Sequence, residues 1–147
     1  MNKRIDSLGR IVIPKDYRKK LNINDGELLN IEYENDSIVI SKKEIEDKTK
    51  KFLNLIINNM STYFKKNIIF FDISGNIYKS KESIEFDKNI IVKFKTKINN
   101  IYYDNNQIFP VYVNGYLYGG LIIIDYEEEL KKQVNAYINL IEKYIEE

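Results

Sequence analysis

Lys3-Arg4-Ile5-Asp6-Ser7-Leu8-Gly9-Arg10-Ile11-Val12-Ile13-Pro14-Lys15-Asp16-Tyr17-Arg18-Lys19-Lys20-Leu21 is the stretch that decides the fold. Ile5 and the run Ile11-Val12-Ile13 flank a turn at Asp6-Ser7-Leu8-Gly9, where Gly9 can take a positive φ at little steric cost. The pattern predicts two short strands around that turn. Pro14 stops the second strand and opens a short helix over Lys15 to Leu21, because proline has no N–H for a ladder yet suits the first helical position. The stretch is also basic. Residues 1–20 hold seven Lys/Arg against Asp6 and Asp16, a net of +5, whereas residues 52–147 hold 11 Lys/Arg and 12 Asp/Glu. The whole chain of 147 residues carries only +1, so it is not a globally basic nucleic-acid binder; the net positive charge is concentrated in residues 1–20.

Working outward, Asn24-Asp25-Gly26 is a turn, and Leu29, Ile31 and Tyr33 alternate with Asn30, Glu32 and Glu34 at the period of a strand. Asn35-Asp36 suits a two-residue hairpin turn, and Ser37 to Ser41 returns with Ile38 and Ile40 on one face. The expectation for residues 1–43 is therefore four short strands and one short helix. A unit of about 40 residues buries little core and usually needs a staple or a partner copy. The chain has no Cys and no His, so disulfides and the commonest metal ligands are excluded, and dimerisation is the remaining solution.

The quoted stretch closely resembles the AbrB/SpoVT family of transition-state and sporulation regulators. The shared pattern is a basic strand, Asp-x-Leu-Gly-Arg, an aliphatic run closed by proline, then a helix with a basic pair before Leu21. Leu28 to Tyr33 and Ile38 to Lys43 continue the match, so it covers essentially all of residues 3–43. The resemblance implies an interlocked, swapped-hairpin dimer whose strands complete one β-barrel, and duplex DNA as the partner. Carried over residue by residue, the DNA-contacting positions are Lys3, Arg10, Arg18 and Lys19; Arg4, next to Lys3 in the first strand, is the fifth candidate. Lys3 and Lys19 stand where relatives commonly carry Arg, which keeps the charge for phosphate but loses the two-pronged geometry that reads base edges. The first strand is expected to be short, about Asn2–Asp6. Lys15, Lys20 and the Lys48–Lys51 run read as solvated charge.

Beyond residue 43 the charge pattern changes. The division expected is 1–46 for DNA binding and dimerisation and 47–147 for regulation or oligomerisation, joined by a linker helix over 44–66. Ile45, Phe52, Ile56, Met60 and Tyr63 recur on that helix at helical spacing. Ile68 to Ile73 reads as a buried strand, then come a turn at Ser74-Gly75-Asn76 and a return strand Ile77 to Lys79. Ile90 to Phe94 and Asn99 to Tyr103 read as further strands. Ile108 to Val113 and Tyr116 to Ile124 flank Asn114-Gly115, a strong hairpin signal. Asp125 with Glu128 reads as a capping box opening a last helix, whose apolar stripe is Leu130, Val134, Tyr137, Ile138, Ile141, Tyr144 and Ile145. The late hairpin and terminal helix resemble the GAF-like domain that follows the AbrB module in SpoVT proteins, with a shortened middle. The fold class expected is thus α+β, a dimeric swapped-hairpin AbrB barrel followed by a shortened GAF-like α/β sensor domain.

Function follows from these units. A DNA-binding transcription regulator of the transition-state or sporulation type is expected, as a homodimer or homotetramer, cytoplasmic and nucleoid-associated, with no membrane partner. A small-molecule effector of the C-terminal domain is an open expectation; Tyr102, Tyr103, Tyr112, Tyr116 and Tyr118 are candidates to line its site, against the plainer reading that they pack the sheet. An antitoxin-like protein-binding module with autoregulatory DNA binding is the alternative, because antitoxins of the MazE type share the swapped-hairpin fold. An enzyme is not expected: Asp72, Asp104 and Asp125 sit near strand ends without an activating neighbour, and neither a metal nor a cofactor is implied. Gly119-Gly120 reads as close packing or a bulge, since no phosphate-binding glycine motif is present.

Overall fold

A computed structural model describes residues 1–98 and 101–146. The chain divides into two compact units, Met1–Glu44 and Ile45–Glu147, and together they make a mixed α+β protein.

In the first unit, α1 (Lys15–Lys20) leads to an antiparallel hairpin of β1 (Leu29–Glu34) and β2 (Ser37–Lys42), with Ile31 opposite Ile40 and Tyr33 opposite Ile38. Asn35 and Asp36 both take positive φ, 48° and 60°, the geometry that matches the twist of the flanking strands. Four strands were expected here and two form. The Asp6–Gly9 turn is made, closed by Gly9 N donating to Asp6 O at 3.0 Å and Asp6 N donating to Arg10 O at 3.0 Å. The strands on either side of it do not pair. Their apolar side chains have nothing to pack on: Ile5 is 68% and Val12 70% exposed. None of the residues of this unit is buried.

The second unit is built on a five-stranded antiparallel sheet in the order β4-β3-β7-β6-β5, from β3 (Ile68–Asp72), β4 (Ile77–Lys79), β5 (Tyr102–Tyr103), β6 (Asn106–Val113) and β7 (Tyr116–Ile123). Helices α2 (Asp47–Phe64) and α4 (Lys131–Glu146) cover one face, and α3 (Asn89–Thr96) the other. Strand β3 is why its sequence is apolar without alternation. Ile68 and Phe70 point to α2 and α4, Ile69 and Phe71 to α3, and all four are fully buried. The buried face of α2 is Leu53, Ile56, Ile57, Met60 and Phe64. The stripe expected from sequence was rotated by about one residue from this. Ile56 and Met60 are in it, Phe52 stacks on Tyr144 at its margin, and Tyr63 is exposed.

Three further expectations change. Ile90 to Phe94 is helix α3, not a strand; Ile91 and Phe94, three apart, share the buried face. Of the strand expected over 99–103, Tyr102–Tyr103 pair with Gln107 and Asn106, while residues 99 and 100 lie outside the described residues. Asp125 does not cap a helix. It takes a left-handed conformation (φ 56°), a 3-10 turn at Glu128–Leu130 follows, and α4 begins at Lys131.

Gly119 and Gly120 of the late hairpin are both required by packing. A Cβ on Gly119 would lie 2.1 Å from the Phe71 carbonyl oxygen, and one on Gly120 2.6 Å from the Phe71 ring. Beside them the β6–β7 register slips at Val111/Tyr112, leaving Tyr118 unmatched. Along β6, Pro110 offers no N–H, while the N–H groups of Tyr112 and Asn114 donate to Glu142 (3.0 Å) and Glu146 (3.3 Å) of α4. These devices blunt a sheet edge that would otherwise invite another strand.

Candidate nucleic-acid interface

The five cations singled out in the sequence lie on three consecutive pieces of the first unit. Lys3 and Arg4 are on the segment before the turn, Arg10 directly follows the turn, and Arg18 and Lys19 are in the last turn of α1. All five are exposed. The side chains of Lys3, Arg4 and Lys19 make no hydrogen bond or ion pair among the described residues. The two later arginines are held at one end. Arg18 Nε donates to the Ile13 carbonyl at 3.1 Å, which ties α1 back onto the aliphatic run. Arg10 Nε donates to Asp6 Oδ2 at 2.8 Å, and the other carboxylate oxygen accepts from the backbone N–H of Leu8 (2.9 Å) and of Arg10 itself (2.8 Å). These bonds from Arg10, backbone first and guanidinium second, hold the Asp6 carboxyl below its usual pKa.

The local sequence explains each placement. Gly9 has φ +80° with open space around a would-be Cβ, so conformation and not crowding demands glycine there. Pro14 accepts the N–H groups of Tyr17 and Arg18 on its carbonyl, starting α1. Arg18, Lys19 and Lys20 fall where the helix dipole is negative. Not every basic residue nearby is available. Lys42 donates to the Asn22 carbonyl at 2.8 Å and pairs with Glu27 at 3.3 Å, pinning the loop after α1 to β2. Sequence reading gave Asp6 only a turn role and missed its grip on Arg10. The signal was present as an acid four residues before an arginine across a glycine turn.

The tyrosines proposed to line an effector site do not gather. Tyr102, Tyr112 and Tyr116 are exposed, Tyr118 packs on the core under α2 and α4, and Tyr103 packs with Phe86 on the opposite face. Tyr103 and Phe86 border an open hollow with Ile84 and Lys88. The buried acid of this unit, Asp72, is used structurally: Ser74 N, Asn76 N and Asn76 Nδ2 donate to it at 2.9–3.0 Å, closing the β3–β4 turn. Burial raises its pKa, and those bonds oppose the rise. Among the described residues there is no acidic or metal-ligating cluster that could hold an ion, and no helix is long and apolar enough to cross a membrane.

Residues 3–48 match the protein family described as "Antidote-toxin recognition MazE, bacterial antitoxin". Along 87% of this chain and 84% of the relative, the sequence is 27% identical to Stage V sporulation protein T of Bacillus subtilis (strain 168).

Proposed function

From an N-terminal domain of the MazE/AbrB type in a chain related over most of its length to Stage V sporulation protein T, we propose a homodimeric, DNA-binding transcription regulator of the sporulation type. One observation carries this reading. The unit whose residues 1–20 hold the concentrated positive charge has no buried residue as a single copy, and its turn, aliphatic run and hairpin all expose apolar side chains. A second copy supplies the missing strands, buries those side chains and doubles the cationic surface. Lys3, Arg4, Arg10, Arg18 and Lys19 then contact duplex DNA, in a cytoplasmic, nucleoid-associated protein. The C-terminal unit serves oligomerisation, up to a tetramer, or the sensing of a small effector.

The test is binding of the full-length protein to duplex DNA across a salt series. With roughly four to eight phosphate contacts per dimer, log K should fall against log salt with a slope of about −4 to −7. Arg10→Ala should weaken binding while leaving the dimer intact. Wild-type affinity in that variant at about physiological ionic strength removes Arg10 from the interface.

The family description of residues 3–48 also favours a second reading, an antitoxin-like module that recognises a toxin protein. Such proteins offer a flexible tail to the toxin, whereas residues following the first unit here form a sheet with two packed faces. Co-purification of an endogenous toxin with the full chain, and its inhibition, would favour that reading over regulation alone.

A further inference from the structure

The turn that presents Arg10 contains a carboxylate, which phosphates repel. Paired at 2.8 Å, Asp6 and Arg10 cancel in charge, so this turn adds almost nothing to long-range attraction for DNA. The pair does little for stability either, since its side chains are 42% and 73% exposed. What the arrangement supplies is orientation. Both oxygens of Asp6 are engaged by its own turn, and the guanidinium is anchored through Nε alone. That leaves the four N–H groups on Nη1 and Nη2 projecting from a rigid turn.

We propose that Asp6 is a positioning residue that makes Arg10 a reader of guanine instead of a phosphate cation. This rests on the DNA-binding reading above. Two parallel N–H groups presented end-on match the O6 and N7 acceptors of guanine in the major groove. A phosphate accepts from many directions, and a free arginine or lysine would serve it as well. Labour is thereby divided within one unit. Lys3, Arg4 and Lys19, with no acid on them, supply attraction, and the neutral Asp6–Arg10 pair supplies discrimination. Arg18 keeps its full charge, because its Nε is held by a carbonyl.

The experiment uses the full-length protein and two duplexes of equal length. One is enriched by the wild type from a pool with a randomised centre; the other is a scrambled version. Asp6→Asn keeps an oxygen acceptor for the Leu8 and Arg10 N–H groups but removes the charge and the acceptor for Nε. Asp6→Ser is the second variant, since a serine hydroxyl also supports such a turn. Sedimentation confirms that each remains the wild-type oligomer. Both variants should lose roughly tenfold or more of the preference for the enriched duplex, the scale of one bidentate arginine–guanine contact. Their affinity for the scrambled duplex should be unchanged or tighter, because one negative charge per chain is gone. Adding Asp6→Asn to Arg10→Ala should change the preference no further. Replacing guanines of the enriched duplex by 7-deazaguanine, which lacks the N7 acceptor, should weaken the wild type and not Asp6→Asn. Equal weakening on both duplexes would reduce Asp6 to a turn-former and overturn the proposal, as would unaltered preference. A wild type that binds neither duplex overturns the DNA-binding reading itself, an outcome distinct from either.

Discussion

In the second unit, β3 reads Ile68-Ile69-Phe70-Phe71 and all four side chains are fully buried; in the first, β1 carries Ile31 and Tyr33, and they are 71% and 76% exposed. Both strands are apolar on a face meant for a core. The second unit has α2, α3 and α4 to close over its sheet, so one chain completes it. The first has one helix of six residues and a two-stranded hairpin, too little to cover either face. The difference teaches how far one chain goes toward each fold: residues 45–146 close their core within a single copy, and residues 1–44 leave their apolar face uncovered in one.

The contrast can be broken by truncating matched side chains. Phe70→Ala should cost about 3–5 kcal/mol, as for other buried aromatic truncations. Its unfolding midpoint should fall equally at all protein concentrations. Ile31→Ala should cost about 2–3 kcal/mol if a second copy buries that residue. Here the loss should appear as a dimer that dissociates at higher protein concentration, read by sedimentation. An Ile31→Ala variant within about 0.5 kcal/mol of wild type at every concentration, the behaviour of a surface position, would mean that the exposed face has no partner. Gly119→Ala is smaller, about 1–3 kcal/mol, because β7 must shift away from the Phe71 carbonyl to admit a methyl. It should act on thermal unfolding of the second unit and leave dimerisation unchanged.

The sequence was legible where a short-range rule applied. The positive-φ pairs Asn35-Asp36 and Asn114-Gly115 stand where turn chemistry put them, and Ile77–Lys79 is the return strand expected after Ser74-Gly75-Asn76. It was less legible where tertiary contact decides. Ile90 to Phe94 is apolar and β-branched enough to read as a strand, but it forms a helix that lays Ile91 and Phe94 on Ile69 and Phe71. Asp125 and Glu128 have the spacing of a capping box, yet the chain leaves β7 through a left-handed Asp125 and cannot start α4 there. At the candidate interface the cations were visible as a local excess of charge. The engagement of Arg10 by Asp6 was marked only by their spacing across a glycine turn, and it is the folded turn that brings residues 6 and 10 together at 2.8 Å.

The smallest expected effect sharpens the contrast from the inside of the completed unit. Tyr78 is buried on β4, tilted against Phe70, and its hydroxyl has no hydrogen-bond partner among the described residues. Burial first, and the neighbouring charge of Asp72 second, push its pKa up to about 12, so it stays neutral throughout the physiological range. An unpartnered buried hydroxyl costs roughly 1–3 kcal/mol of desolvation. Tyr78→Phe removes the oxygen and keeps the ring contacts. It should therefore stabilise the second unit by about 1 kcal/mol, raising its thermal midpoint by roughly 4–8 °C for a domain of this size. No change in dimerisation or DNA affinity should accompany it. Destabilisation instead would mean that the hydroxyl is satisfied by something other than this chain, an ordered water or a bound small molecule. A difference that vanished after unfolding and dialysis against buffer, and returned with cell extract of low molecular mass, would assign it to the molecule. The second unit would then also be incomplete as a single chain, with a small ligand in the part that a second copy is proposed to play for the first.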